Sequence, residues 1–440
     1  MSTIALIRRE AAGWADAAEA RPHMAVAVLT LTALVLRVIW GSLVPVLPTS
    51  DSGAYMLFAR TLFEHGEYAM APGDATAFWA PGTGAMVAGL WYVFGVSFTP
   101  IVVVNTIYAT SLVPMTFVLA ERWGGTITGL VAAALMAFWP TFVMYVTVIQ
   151  SELPFLFVLM AGLIAYTTRW PAAWQRIIVS GIFFGIACYF RPVALLLPLA
   201  LGFVAVVRDF RAWQREVVAA VATMLMMLVV LSPWTYRNYV VLGTPALVST
   251  NFGLALWNGN HPGTPGTYVP EPEWLKGLTM AEREKKLRQE AMDYILAEPG
   301  AFVWRTMWKA VIQHRGQTIA VVWNPYVEQR YGAVVVFILK AVASTYWYGC
   351  VALGLAGFGI AIWRLGLIGL FHPAFLIWAY FTGVHAVTQA GGRFQLPSVP
   401  FVAIMAAITL VLVFRLGDPL GRLSRPPRGG SQGAGGGPDA

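Results

Sequence analysis

MAVAVLTLTALVLRVIWGSLVPVL, residues 24–47, runs straight into PTSDSGAY, residues 48–55. The first stretch exceeds the roughly 7–15 apolar residues of a secretory leader and can cross a bilayer, so it reads as a retained first span. The second places a carboxylate, Asp51, immediately beyond that span. The rest of the chain has the same character. Of 440 residues, 58% are hydrophobic, 13% aromatic and 11% charged, where a soluble domain carries about 25% charge. That deficit, with apolar residues gathered in long runs, excludes an ordinary water-soluble globule.

Apolar segments long enough to cross, or nearly so, fall at 24–46, 98–120, 126–147, 153–168, 177–190, 192–207, 217–234, 333–362, 367–387 and 397–414. Gly82 to Gly95 is only about three-quarters of a span, and reads as an interfacial helix. Charge tests that choice. With Arg8, Arg9 and Arg21 in the cytoplasm, the inside also receives Arg122, Arg169, Arg176, Arg208, Arg211, Arg215, Arg364 and the arginine-rich end from Arg415. Every basic short loop then lies on one side, as the positive-inside rule requires. A crossing at 82–95 would turn the intermediate loops outward.

The expected fold is therefore all-α: a polytopic bundle of about ten spans with both ends inside, interfacial helices, and a mainly helical outer loop. The chain divides into a cytoplasmic segment 1–23, a transmembrane module 24–234 with outer loop 47–97, an extracytoplasmic region 235–332, spans over 333–414, and a cytoplasmic end 415–440 that is Gly-rich and expected to be disordered. Within 235–332, Thr279 and Glu282 form a capping box. Leu287, Ala291 and Ile295 give the following helix one apolar stripe, and Glu298-Pro299 ends it. The Gly-, Pro- and Asn-rich stretch 257–272 reads as an irregular loop.

The net charge of +8 lies mostly in short gaps between apolar runs, so it sets topology and does not indicate nucleic acid. Cys188 and Cys350 lie in apolar stretches without metal or disulfide spacing. His261, His314, His372 and His385 are scattered. No cofactor is indicated, and a divalent metal stays open without support from ligand spacing.

Five side chains at the outer edges stand out. Asp51 is read either as a helix N-cap or as a reactive carboxylate. Glu152, between two spans, is either a solvated loop end or functional. Arg191, Arg237 and Arg393 stand where the charge rule disfavours arginine. They either reach lipid headgroups and pair with Asp51 or Glu152, or grip a phosphate, whose oxygens match a guanidinium fork. A carboxylate that takes a proton from an incoming hydroxyl, with cations on a departing phosphate, would suffice to move a sugar from a lipid phosphate. The Asn258-Gly259-Asn260 stretch offers either amide contacts to sugar hydroxyls or a turn. A transporter of lipid-linked intermediates is the main alternative, with Arg37 and Lys340 as in-span charges; a non-catalytic membrane partner is the third reading.

The motifs Asp51-Ser52-Gly53-Ala54-Tyr55, Gly66-Glu67-Tyr68, Ala80-Pro81-Gly82, Gln150-Ser151-Glu152, Phe190-Arg191-Pro192, Pro233-Trp234-Thr235-Tyr236-Arg237-Asn238-Tyr239, Ser249-Thr250-Asn251-Phe252-Gly253, Trp257-Asn258-Gly259-Asn260 and Arg393-Phe394-Gln395-Leu396-Pro397 come in an order that resembles the GT-C-fold membrane glycosyltransferases. The branch is similar to family 39, the bacterial relatives of protein O-mannosyltransferases and aminoarabinose lipid A transferases. The resemblance implies inverting transfer from a polyprenyl-phosphate sugar to a glycan, lipid or protein acceptor, at the extracytoplasmic face of the bacterial inner membrane. It implies Asp51 and Glu152 as the acidic pair and Arg191 and Arg393 near the carrier phosphate. Tyr55 of the first motif and Arg237 join them as substrate-contacting residues. It also implies that Gly82 to Gly95 is a juxtamembrane helix. Asp51-Ser52 departs from the Asp-Glu of many relatives. Ala80 stands where the aminoarabinose branch has Lys, and 235–332 is too short for the luminal insert of the protein mannosyltransferases; both specific substrates are thereby disfavoured.

Overall fold

The computed structural model describes residues 3–421. It is helical throughout, and among the described residues the only β-type pairing is an isolated bridge between Ala69 and Ala75. Each of the ten apolar segments is built around a helix. Six helices are long and apolar enough to cross a membrane: Pro22–Leu43, Thr99–Gly124, Ala173–Phe190, Phe210–Leu242, Pro325–Phe371 and Leu396–Phe414. A seventh candidate is bent by 49° between Thr126–Ala137 and Pro140–Thr147. Glu152–Thr167, Pro192–Arg208 and Pro373–Val387 are apolar but shorter. The chain is a multi-pass membrane protein.

Leu396–Phe414 is the axis, with 83% of its window buried, whereas Pro22–Leu43 is 11% buried and presents most of its surface outward. The difference follows from their neighbours. Small residues on the Pro325–Leu365 helix let backbones meet; a β-carbon on Gly357 would overlap the Met405 carbonyl. With no water to drive apolar surfaces together inside a bilayer, such close packing is what joins helices.

The bent span explains the one buried charge in the first span. Pro140 has no N–H to offer the Met136 carbonyl, which keeps a long bond from Trp139 N at 3.4 Å. Arg37, fully buried, donates Nη1 to Ala137 O at 3.2 Å and Nη2 to Met136 O at 3.3 Å, and Nη1 also meets Ala33 O at 2.9 Å. An in-span arginine therefore serves as the cap of a broken helix.

In the first long loop, Asp51–His65 packs on Gly82–Phe94. The latter is short and leaves Tyr92, Val93 and Phe94 exposed, consistent with an interfacial helix. Gly82 permits its close seat: a β-carbon there would lie 2.7 Å from Tyr189 O.

In the second long loop the capping box forms. Thr279 Oγ1 accepts from Glu282 N at 3.3 Å and Glu282 Oε2 accepts from Thr279 N at 2.8 Å. The helix Met280–Ala297 follows, and Pro299 opens the next, Pro299–Gln313. One expectation is corrected. Residues 257–260 are not irregular but complete the helix Phe252–Asn260. Leu254, Leu256 and Trp257 bury against Leu287 and Ala291, and that packing outweighs the turn chemistry of Asn-Gly-Asn. Only 261–272 lacks a regular helix. A short helix from Pro325 precedes the next span and ends at a break at Gly332, whose φ of 81° is left-handed, so the span itself starts after Gly332, in line with the expected 333. The expected disorder beyond Pro426 lies outside the described residues.

Replacing Arg37 by Met should destabilise the protein by about 1–3 kcal/mol for each buried carbonyl left unpaired. Thermal unfolding in detergent measures this, and a variant as stable as the parent would refute the capping role.

Candidate functional site

Ser50 carries a positive φ of 53°, an uncommon backbone state for a side-chain-bearing residue, held only where its surroundings demand it. It turns the chain out of the first span so that Asp51 becomes the first residue of a helix. Ser50, not Asp51, holds the N-cap position, and no side-chain cap is made there. The Asp51 carboxylate instead accepts Arg393 Nη1 on Oδ2 at 2.5 Å. Of the two readings of Asp51, the helix cap is thus not what the geometry contains.

Arg393 comes from the turn between Pro373–Val387 and Leu396–Phe414. Its guanidinium lies 5.4 Å from the Trp323 ring centroid and 5.1 Å from that of Phe394. Partial burial works against its charge, but Asp51 and Glu152 outweigh it and raise its pKa above the usual arginine value. It stays a cation at any working pH.

Beneath this pair lies a second. Arg191 Nη1 donates to Glu152 Oε1 at 2.6 Å and to Ser151 Oγ at 3.2 Å. Its guanidinium sits 5.6 Å from the same Phe394 ring, and His385 stacks on that ring at 4.5 Å, 7° from parallel. One aromatic ring therefore joins both cations. Exposure separates the pairs: Glu152 and Arg191 side chains are 0% and 10% exposed, Asp51 and Arg393 21% and 25%. Only the outer pair can meet a ligand without rearrangement of the core. Around the inner pair, Arg191 Nε and His385 Nε2 are buried without a protein partner, and the Tyr145 hydroxyl lies against the Glu152 carboxylate.

Tyr55, one turn after Asp51, is buried near both carboxylates and Arg393. Burial first, then the charges of Asp51 and Glu152, push its phenol up to about 12. It is a neutral hydroxyl at Ser151, within electrostatic reach of Asp51, Glu152 and Arg393.

Three sequence candidates stand elsewhere. Arg237 donates to Thr76 O at 2.8 Å, Tyr68 O at 3.0 Å and Asn238 Oδ1 at 3.1 Å, and covers the Trp234 ring at 4.8 Å. It braces the first long loop. Asn258 and Asn260 are buried in the last turn of their helix. Asn260 Nδ2 donates to Leu256 O and Val387 O, and Asn258 Nδ2 reaches Gln389 at 3.4 Å. The Asn260 amide is thus taken up by the protein, whereas Asn258 Oδ1 is buried without a partner. Tyr145, His385 and Trp323 were not singled out from sequence as site residues; they lie in apolar stretches that carry no local signal of a site.

An apolar groove of about 640 Å³ runs past Tyr68, Gly82, Met86, Tyr189, Phe190 and Trp234. Phe190 is the residue before Arg191, and Arg237 lies one helical turn beyond Trp234. Among the described residues no group of three or more His, Cys, Asp or Glu is placed to hold a metal.

Residues 79–236 match the model of the dolichyl-phosphate-mannose-protein mannosyltransferase family. No curated protein matches the chain significantly. Among solved structures, the archaeal oligosaccharyltransferase AglB from Archaeoglobus fulgidus, in complex with an inhibitory peptide and a dolichol-phosphate, superposes with a TM-score of 0.54 at 14% identity over 90% of this chain and 51% of that one. The same enzyme tethered to an acceptor peptide gives 0.53 at 14% identity, over 89% and 50%. ArnT from Cupriavidus metallidurans bound to undecaprenyl phosphate gives 0.42 at 15% identity, over 88% and 77%. The chain spans about half the length of the oligosaccharyltransferase. The chain shares the membrane fold of the oligosaccharyltransferase, and within it residues 79–236 are similar to the dolichyl-phosphate-mannose-protein mannosyltransferase family.

Proposed function

We propose that the protein transfers a sugar from a polyprenyl-phosphate carrier to an acceptor hydroxyl or phosphate at the extracytoplasmic face of the bacterial inner membrane. The observation that carries this reading is the Asp51–Arg393 pair, 2.5 Å apart and partly exposed over a buried ion pair. The apolar groove beside Phe190 suits the isoprenoid tail. The oligosaccharyltransferase of similar fold was solved with dolichol-phosphate, a ligand of the same chemistry.

The chemistry follows from an exchange of partners. While Asp51 holds Arg393, one carboxylate oxygen is occupied by the guanidinium and is not free to take a proton from the acceptor. The phosphate of an arriving donor competes for the guanidinium, since fork geometry suits both anions. Arg393 moves to the phosphate and Asp51 is left free. Asp51 then accepts the proton of the acceptor hydroxyl as its oxygen bonds to the sugar's anomeric carbon from the face opposite the phosphate. The bond from that carbon to the phosphate oxygen breaks, and its electron pair leaves with the polyprenyl phosphate, whose added charge Arg393 offsets. Inversion results. Tyr55, neutral at this pH, serves as a hydrogen-bond donor beside the reacting groups. Glu152 holds Arg191, and through Phe394 the inner pair keeps Arg393 in place. Arg237 acts on the donor indirectly, by bracing the loop that borders the groove.

Asp51→Asn should lower transfer roughly 100- to 10,000-fold, the range of a lost general base, while binding undecaprenyl phosphate at least as tightly as the parent, because Arg393 loses its competing anion. Restoration of envelope glycans in a deletion strain reads the first effect and binding in detergent the second. Near-normal glycans would overturn the assignment. Arg191→Ala should cost about 3–5 kcal/mol of stability by leaving a buried carboxylate unpaired. The double variant Arg191→Leu with Glu152→Leu should lose less, which thermal unfolding resolves; equal losses would contradict the pairing.

A further inference from the structure

Lys309 is a buried cation with no acid. It is 1% exposed, and no carboxylate pairs with it among the described residues. Its ammonium donates to Asn260 Oδ1 at 3.0 Å, Thr388 O at 2.9 Å and Val387 O at 3.3 Å. An ammonium has three protons, and all three are used, so none is left for a ligand. Burying a charge among neutral acceptors is unfavourable. Burial first, then Arg305, pushes its pKa down to about 8. A buried cation kept at that cost needs a structural consequence.

The consequence is the turn it holds. Residues 388–395 connect two spans and carry Arg393. The Gly391-Gly392 pair gives that turn little stiffness of its own, so its shape is imposed from outside. Lys309 ties its first residues to the helix Phe252–Asn260. One turn further along Lys309's own helix, Pro299–Gln313, Gln313 Nε2 donates to Phe394 O at 3.1 Å. Ala390 N donates to Gly266 O at 3.0 Å. Next to Asn260, Gly259 packs against Thr388 so closely that a β-carbon would overlap its carbonyl. Arg305 Nη1 secures the Asn260 carbonyl at 2.7 Å.

We propose that Lys309 is a positioning residue for the site: by stapling Asn260 to Val387 and Thr388 it sets the turn that presents Arg393 to the donor phosphate. The inference rests on the reading of Arg393 as the phosphate-binding cation. It also gives Asn260 a role, as the other half of the staple and not as a sugar contact.

The test is a double-mutant cycle on binding of undecaprenyl phosphate to the full chain in detergent. Parent, Arg393→Ala, Lys309→Met and the double variant are compared, because coupled residues fail to add whereas independent ones do. Lys309→Met should weaken binding about tenfold, on the order of one lost hydrogen bond, and should add nothing once Arg393 is gone. Lys309→Arg should recover part of the loss, which a mere packing defect would not allow. Parent-like binding by Lys309→Met, or full additivity with Arg393→Ala, overturns the inference. Lys309→Gln, which keeps two donors, carries the same cycle if the Met variant does not fold. A parent that binds no undecaprenyl phosphate would instead sink the proposed function, so the two failures are distinct.

Discussion

A single ion pair, Asp51 with Arg393, closes this molecule across 342 positions of sequence. One partner opens the first loop helix; the other sits in the turn before the axial span. Charges at a membrane edge feel less dielectric screening than in water, so they must be paired or hydrogen-bonded. The nearby construction follows from that need. Phe394 links Arg393 to Arg191, Glu152 neutralises Arg191 in the core, and the Lys309 staple holds the turn. The outer pair is strong enough to organise the site and open enough to be exchanged for a phosphate.

The same constraint explains how much was legible beforehand. A bilayer demands long apolar helices and sorts basic residues to one side, so segment positions could be read from composition and charge alone. Gly82–Phe94 forms the short apolar helix that its length in the sequence indicated. The capping box at Thr279 and Glu282 is a local rule and formed as written. Asp51, Glu152, Arg191 and Arg393 stood out because each breaks a local expectation at a membrane edge, and the structure joins them into two ion pairs whose arginines share the Phe394 ring.

What escaped was non-local. Arg237 obeys the same anomaly as Arg191, yet its partners are carbonyls some 160 positions away, which no spacing reveals. Asn258 and Asn260 carry a turn signal that the packing of Leu254 and Trp257 against a neighbouring helix overrides. Lys309 sits in an amphipathic helix where a lysine would ordinarily face water. Arg37 is the most instructive case. An in-span charge favours transport on sequence grounds, but here it caps the carbonyls of a broken helix, which removes that support for a conduction pathway.

The most direct measurement is a structure of the full chain in a lipid nanodisc with undecaprenyl phosphate bound. The account predicts the phosphate on Arg393, the isoprenoid leaving along Tyr189 and Trp234, and the Asp51 carboxylate released toward open space. A phosphate bound elsewhere, with Asp51 and Arg393 still joined, would contradict it.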